Sequence, residues 1–221
     1  MKLFAVAGIS SAMAKASLLS FIVVLAFGAG ALGAQKKAGT AASKTPTHDV
    51  QAINSNHLAG SQSEYLRRAI HQPVDWRPWG AEAFAQAAKL NRPVLLDVGA
   101  TWCAFCELMD KESYTNPELA KFINENFVAV KVDYDADAKL SARLQRAQAY
   151  INVPSGLPLT AFVTPDGRLY TGGSYFPARP KRDKPAFYDA LRKALKTYRD
   201  HDPALKNAFD LHLEKEFTHA N

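Results

Sequence analysis

Cysteine is nearly absent from these 221 residues: Cys103 and Cys106 are the only two, separated by Ala104 and Phe105. A structural zinc site takes four protein ligands. The histidines nearest in sequence, His71 and His201, have no metal-like spacing from the thiols, so no metal is expected. The basic stretches lack interleaved aromatics. Lys36, Lys37 and Lys44, then Lys181, Arg182 and Lys184, read as solvated surface, which excludes a nucleic-acid partner. Internal repeats are missing, as is any heptad run, which excludes a repeat array and a coiled coil. What is there is ordinary for a globular chain with one full core: 48% hydrophobic and 22% charged residues, with twelve glycines and twelve prolines.

Charge is missing from one long stretch. Lys2 and Lys15 are the only charged residues of segment 1–34, and the rest of the chain keeps +4 of the formal +6. Ala16 to Ala34 is uncharged, strongly apolar from Leu18 to Phe27, and ends in small residues. That is the pattern of a secretory signal peptide, with Ala29-Gly30-Ala31 or Ala31-Leu32-Gly33 before a cut. It is also long enough for an uncleaved membrane anchor. Either way the lysine-bearing end stays inside and the rest crosses, so a periplasmic or otherwise extracytoplasmic location is expected. Thiols there face an oxidising environment. Residues 35–51, rich in Ala, Lys, Thr and Ser without periodicity, read as a flexible linker.

Folded structure is expected from residue 52 to residue 200. A short helix at Ser63–Ile70 leads into "HQPVDWRPWG" (71–80), an ordered loop whose tryptophans serve packing. Ala81–Leu90 reads as a helix, and "RPVLLDVGA" (92–100) as a buried strand with one acid, Asp97, inside its apolar run. Asn116-Pro117-Glu118 starts a helix that runs to about Asn126. "FVAVKVDYD" (127–135) is a second central strand, and Asp137–Tyr150 a helix. "GLPLTAFVTPDGRLYTGG" gives a strand, a Pro-Asp-Gly turn and a strand. Pro185 to about Arg199 and Pro203–Phe217 are amphipathic terminal helices, the second making 201–221 a C-terminal helix. Strands alternating with helices, followed by a hairpin, make this an α/β domain.

Cys103 follows a strand directly and opens a helix. There the helix dipole and free backbone N–H groups stabilise a thiolate. Cys106, one turn on, can attack a mixed disulfide formed at Cys103, so the spacing suits a nucleophile and a resolving thiol. As a purely structural bond the pair closes so short a loop that it contributes only roughly 2 kcal/mol on the loop-entropy model.

"DVGATWC", with Asp97 six residues before Cys103, resembles the active-site approach of the thioredoxin-like superfamily, and "SGLPLTAF" (155–162) resembles its cis-proline segment. Within it, "NHLAGSQSEYLRRAIHQPVDWRPWGAEAF" (56–84), "CELMDKESYTNPELAKFINENFVAVKVD" (106–133) and "GGSYFP" (172–177) are similar to the thioredoxin-like domain of the spermatogenesis-associated, YyaL-like proteins and the periplasmic DsbH form. "RPVLLDVGATWCAFCE" is more loosely similar to the C-terminal thioredoxin-like domain of DsbD. The resemblance implies a thioredoxin-like fold: a central mixed sheet flanked by helices, here with an N-terminal helical extension. It implies that Pro158 is a cis-proline, that the Leu157 backbone pairs with an extended substrate segment, and that Asp97 is the buried acid beneath Cys106. A carboxyl buried in a strand has a raised pKa and can exchange a proton with that thiol; a purely structural, hydrogen-bonded acid is the alternative. Trp102 and Phe105 line the rim of the docking groove or simply pack.

The function expected is an exported thiol–disulfide oxidoreductase, probing protein disulfides with Cys103 and needing no cofactor beyond the redox-active Cys103–Cys106 pair. The family's usual Cys-His-Trp-Cys-His is here Cys-Ala-Phe-Cys-Glu. Losing the histidines and gaining Glu107 both raise the thiolate pKa, which favours a disulfide reductase. A reductase takes electrons from elsewhere, and a membrane relay of the DsbD kind is the implied partner. A thiol oxidase or isomerase of the same fold and a non-catalytic module that binds extended peptides are the alternatives.

Overall fold

Aliphatic and β-branched residues concentrate in four segments, and these become the buried strands of one sheet. The computed structural model describes residues 55–182, 185–201 and 203–213. β1 (Trp76–Pro78), β2 (Val94–Gly99), β3 (Val128–Asp133), β4 (Leu159–Val163), β5 (Arg168–Gly173) and β6 (Phe209–Asp210) lie in the order β1-β3-β2-β4-β5-β6. β1, β3 and β2 run parallel, and β4, β5 and β6 each join antiparallel. β2 and β4 are buried along their whole length, as continuous apolar runs in the centre of a sheet should be.

Helices cover both faces. One core joins Leu95, Ala129 and Phe162 to α1 (Glu64–Arg67), α3 (Ala104–Met109), α4 (Pro117–Asn126) and α6 (Phe187–Arg199). The other joins Val94, Leu96 and Val130 to α2 (Ala81–Leu90) and α5 (Ala138–Tyr150). The helix ends follow local chemistry. Asn116 Oδ1 accepts from the N–H groups of Glu118 and Leu119, with Pro117 at the first helical position. Asp137 caps α5 by accepting from Leu140 N–H. α2 stops where Asn91 turns left-handed at φ 49°. α3 passes without a break into a π-helical turn, Asp110–Tyr114.

Three expectations are corrected. Residues 71–80 are not only a loop: Trp76–Pro78 pair with β3 as an edge strand, with Trp76 fully buried. Pro78 fits there because it ends the strand at the sheet's edge. Pro203–Asn207 form a 3₁₀ turn and Phe209–Asp210 form β6, so 203–212 is not the expected amphipathic helix, and helix begins only at Leu213. Residues 214–217 of that expected helix lie outside the described residues. The folded unit also extends past 200, because Leu211 and Leu213 enter the core. Leu211 N–H donates to Gly167 O at 2.9 Å. Gly167, at φ 89° in the β4–β5 turn, leaves the space that the Leu213 side chain fills.

The N-terminal extension carries the short helix α1 and is tethered to the sheet. Ser63 caps α1 and donates its hydroxyl to Asp133 Oδ2 at 2.5 Å, fixing α1 over the end of β3. The Asn56 side chain donates to Ala69 O at 2.8 Å and Val74 O at 3.2 Å. The apolar run at 16–34 and the expected linker at 35–51 lie outside the described residues. Among the described residues no helix is long and apolar enough to cross a membrane.

Candidate functional site

β2 ends at Gly99, and the chain turns through Thr101 and Trp102 into Cys103, the N-cap of α3. Cys103 and Cys106 are joined as a disulfide. Cys106 N–H donates to Cys103 Sγ at 3.1 Å, a contact that equally serves a thiolate on Cys103. The two sulfurs are placed unequally. Cys103 is 7% exposed and opens onto a shallow groove of about 360 Å³, while Cys106 is 1% exposed and faces the core.

Trp102, Cys103, Phe105, Tyr134, Gln145 and Leu157 line that groove. None of the described residues lining it is charged. Trp102 and Phe105 are 64% and 56% exposed, so neither is buried by packing. Trp102 is held by a 2.8 Å bond from Nε1 to Asp135 Oδ2 and by an edge contact with Tyr134. Phe105 leans on Tyr175 of the Gly-Gly-Ser-Tyr-Phe-Pro stretch, 5.4 Å between centroids. The Tyr175 hydroxyl in turn donates to Glu112 Oε2 at 2.8 Å. The Leu157–Pro158 peptide bond is cis, with Leu157 on the groove and Pro158 buried behind it.

Asp97 does not line the groove: it is 1% exposed in the middle of β2. Sequence reasoning missed the groups around it. Lys131, its register partner on β3, is fully buried and donates to Asp97 Oδ2 at 2.7 Å and to Asp110 Oδ1 at 2.9 Å. The Tyr65 hydroxyl donates to Asp97 Oδ2 at 3.0 Å and the Tyr114 hydroxyl to Oδ1 at 3.2 Å. The rings of Tyr65, Trp76 and Tyr114 surround the Lys131 ammonium at 4.7, 4.9 and 5.1 Å from their centroids. The legible signal was a lone base in an apolar strand beside a strand with a lone acid.

This cluster holds two carboxyls and one ammonium, one negative charge too many for a buried site when all are ionised. Burial pushes the Asp97 carboxyl above its usual range, against the lowering pull of Lys131. Burial alone would lower Lys131, but the Asp97 and Asp110 carboxylates overcome it and raise its pKa, keeping it charged. Burial first, and the nearby Asp97 and Asp110 charges next, hold the Tyr65 phenol well above its ordinary value. Glu107 behaves differently from the expected bare negative charge. It is exposed and paired with Lys111, whose hydrogen bond and charge lower its pKa, so its field at Cys103 is weak.

Among the described residues no group of three or more His, Cys, Asp or Glu side chains is arranged to hold a metal ion. The arrangement instead suits thiol–disulfide exchange: an outer sulfur in an apolar groove, an inner sulfur in the core, and a buried acid inclined to take a proton.

A family model described as Thioredox_DsbH, protein of unknown function, DUF255, matches residues 55–215. Human spermatogenesis-associated protein 20 is 37% identical over 122 residues, covering 55% of this chain and 16% of that protein. An uncharacterized protein of Caenorhabditis elegans is 36% identical over 151 residues, covering 68% of this chain and 21% of that protein. The chain therefore spans about a fifth of the length of these curated relatives. Among solved structures, a DsbH oxidoreductase overlaps 56% of this chain and 85% of its own, at 17% identity and a TM-score of 0.44. The fold is thioredoxin-like, a six-stranded mixed sheet flanked by helices.

Proposed function

The chain belongs to the Thioredox_DsbH family, and we propose that it is an exported thiol–disulfide oxidoreductase that reduces disulfides in protein substrates. The observation that carries this reading is the unequal pair of sulfurs, Cys103 at the groove and Cys106 in the core. In the reduced enzyme the Cys103 thiolate attacks a substrate disulfide, forming a mixed disulfide and releasing one substrate thiolate. The Cys106 thiol then loses its proton and attacks Cys103 Sγ. The bond between Cys103 and the substrate breaks, and its electron pair leaves with the second substrate sulfur. Two electrons pass from the dithiol to the substrate, and the enzyme is left as the disulfide.

Substrate enters as an extended segment pairing with backbone near Leu157, flanked by Trp102 and Phe105. Exposed aromatics beside a reactive sulfur support that placement, since a monomer gains nothing from leaving such rings in water. The groove supports this direction of electron flow: no lining group is cationic, so a Cys103 thiolate is stabilised only by Cys106 N–H and the start of α3. A weakly stabilised thiolate belongs to a reducing centre. The resulting disulfide must be reduced again, for which a membrane relay of the DsbD kind is the proposed donor. The apolar run at 16–34 supports an extracytoplasmic location.

Incubation of the Cys106→Ser variant with disulfide-containing proteins tests the chemistry. It should accumulate mixed disulfides through Cys103, and Cys103→Ser should accumulate none and reduce nothing. Reduction that survived in Cys103→Ser would refute the assignment, and a Cys106→Ser variant that binds without covalent capture would make this a peptide-binding module. Equilibration with glutathione reads the direction: a potential well below about −200 mV marks a reductase, above it an oxidase or isomerase.

A further inference from the structure

The resolving step needs somewhere for the Cys106 proton to go, and the buried Asp97 carboxyl is fully enclosed by its own partners. Asp97 Oδ2 is held by Lys131 and Tyr65, and Oδ1 by Tyr114. Lys131 keeps its own proton because its pKa is raised by the two carboxylates beside it. Of the remaining donors, Tyr65 is the one whose hydroxyl crowds the same face of Gly99 as the Cys106 sulfur. A Cβ on Gly99 would overlap the Tyr65 hydroxyl and stand 2.9 Å from Cys106 Sγ. The missing side chain at the end of β2 leaves room for the Tyr65 hydroxyl, itself bonded to Asp97, on the face of Gly99 where the Cys106 sulfur also lies.

We propose that Tyr65 relays the proton between the Cys106 thiol and the Asp97 carboxylate. This rests on the oxidoreductase reading above and deepens it. While Cys103 is held in the mixed disulfide, the Cys106 S–H proton passes to Tyr65 Oη as the Tyr65 O–H proton passes to Asp97 Oδ2. Tyr65 is neutral before and after, which suits a phenol whose ionisation is strongly opposed by burial. Cys106 becomes a thiolate and Asp97 a carboxylic acid, relieving the excess negative charge of the cluster. Electrons move only in the later attack of Cys106 on Cys103.

The relay borders solvent away from the substrate. Tyr65 and Asp110 line a pocket of about 520 Å³ with Ala100, Thr101 and Lys111, and it shares no lining residue with the groove around Cys103. A docked peptide would therefore leave it open. The titratable groups facing the Tyr65–Asp97 pair are Lys131 and Asp133 from β3 and Asp110 and Tyr114 from the π turn. Arg68, His71, Glu107 and Lys111 ring the pocket mouth.

Tyr65→Phe tests the relay gently, because it keeps the ring over Lys131 and leaves Asp97 bonded to Lys131 and Tyr114. The reduced protein is mixed in stopped flow with dithiobisnitrobenzoate, an aromatic disulfide that releases one coloured thiolate when Cys103 attacks and a second when Cys106 resolves. In Tyr65→Phe the first phase should be unchanged and the second slowed about a hundredfold near neutral pH. The deficit should shrink above about pH 8.5, where a thiol ionises unaided. In an Asp97→Asn background the same substitution should add nothing further. A second phase that matches wild type, or that is slowed equally at every pH, would overturn the relay. If instead the wild-type protein, folded and reduced, shows no two-phase release and reduces no protein disulfide, the oxidoreductase reading itself fails.

Discussion

Asp97→Asn replaces the buried acid by a side chain that imitates its protonated form, and the structure specifies how stability should respond. Burial raises the Asp97 pKa in the folded protein, whereas in the unfolded chain the carboxyl titrates near 3.9. Between those two values the folded state binds more protons than the unfolded one, so wild-type stability falls as pH rises through that window. The asparagine variant has no such loss. Below about pH 4 the two proteins should be equally stable, because the wild-type acid is protonated in both states. Above the folded pKa the variant should be the more stable by a constant amount. Each tenfold by which burial weakens the acid is worth about 1.4 kcal/mol, or roughly 3–5 °C in Tm for a folded unit of this size. In the wild type the raised pKa of Lys131 keeps it charged throughout, and in the variant Asp110 Oδ1, at 2.9 Å, remains as its carboxylate partner. Thermal melts of the two oxidised proteins at about pH 4 and about pH 8 read the difference directly. A variant that is less stable at pH 8, or a gap that is the same at both, would show that Lys131 holds Asp97 as a settled carboxylate and refute the charge count. The same variant should resolve mixed disulfides more slowly, so stability and turnover move in opposite directions.

Two further substitutions follow from the same cluster. Lys131→Met leaves two carboxyls without their shared cation, and should lose about 3–5 kcal/mol at neutral pH, the range for breaking a buried ion pair; denaturant midpoints at constant slope measure it, and the loss should shrink towards about pH 4 as Asp97 protonates. Gly99→Ala drives a Cβ into the Tyr65 hydroxyl and should cost about 1–3 kcal/mol by overpacking, with the second phase of the two-step thiol assay slowed more than the first; an unchanged midpoint would show that Tyr65 moves aside freely.

The parts of the fold written in local chemistry were legible. The Asn116-Pro117 start and the alanine-rich Ala81–Leu90 helix lie where their residue types put them. So do the two ends of the redox loop, because a strand running straight into Cys-x-x-Cys leaves little freedom. What escaped was set by partners distant in sequence. Trp76–Pro78 looks like loop until β3 offers its free edge, since Pro73, Asp75, Pro78 and Gly80 are turn residues that mask a three-residue strand. Phe209, Leu211 and Leu213 alternate with period two, a strand signal that the amphipathic reading of 203–217 submerged. Lys131 was passed over as one charge in an alternating strand, yet it is buried because Asp97 and Asp110 await it from other elements.

The stretches that carry the family likeness are also the ones that wrap the redox centre. A sheet with a disulfide at the end of its central strand defines the thioredoxin-like fold broadly and leaves the surroundings of the two sulfurs open. Residues 56–84 bring Tyr65 to Asp97 and Trp76 over Lys131, so this segment closes the cluster from below. The Gly-Gly-Ser-Tyr-Phe-Pro stretch acts from the other side. Tyr175 backs the exposed Phe105, and Phe176 O accepts from Ser113 Oγ at 3.0 Å, locking the π turn that carries Asp110. Gln148 on α5 holds the start of that stretch by donating to Gly173 O at 2.8 Å. On the proposed relay and docking groove, changes at Tyr65 in 56–84 should alter the resolving step, whereas changes at Tyr175 behind Phe105 should alter which disulfides are accepted.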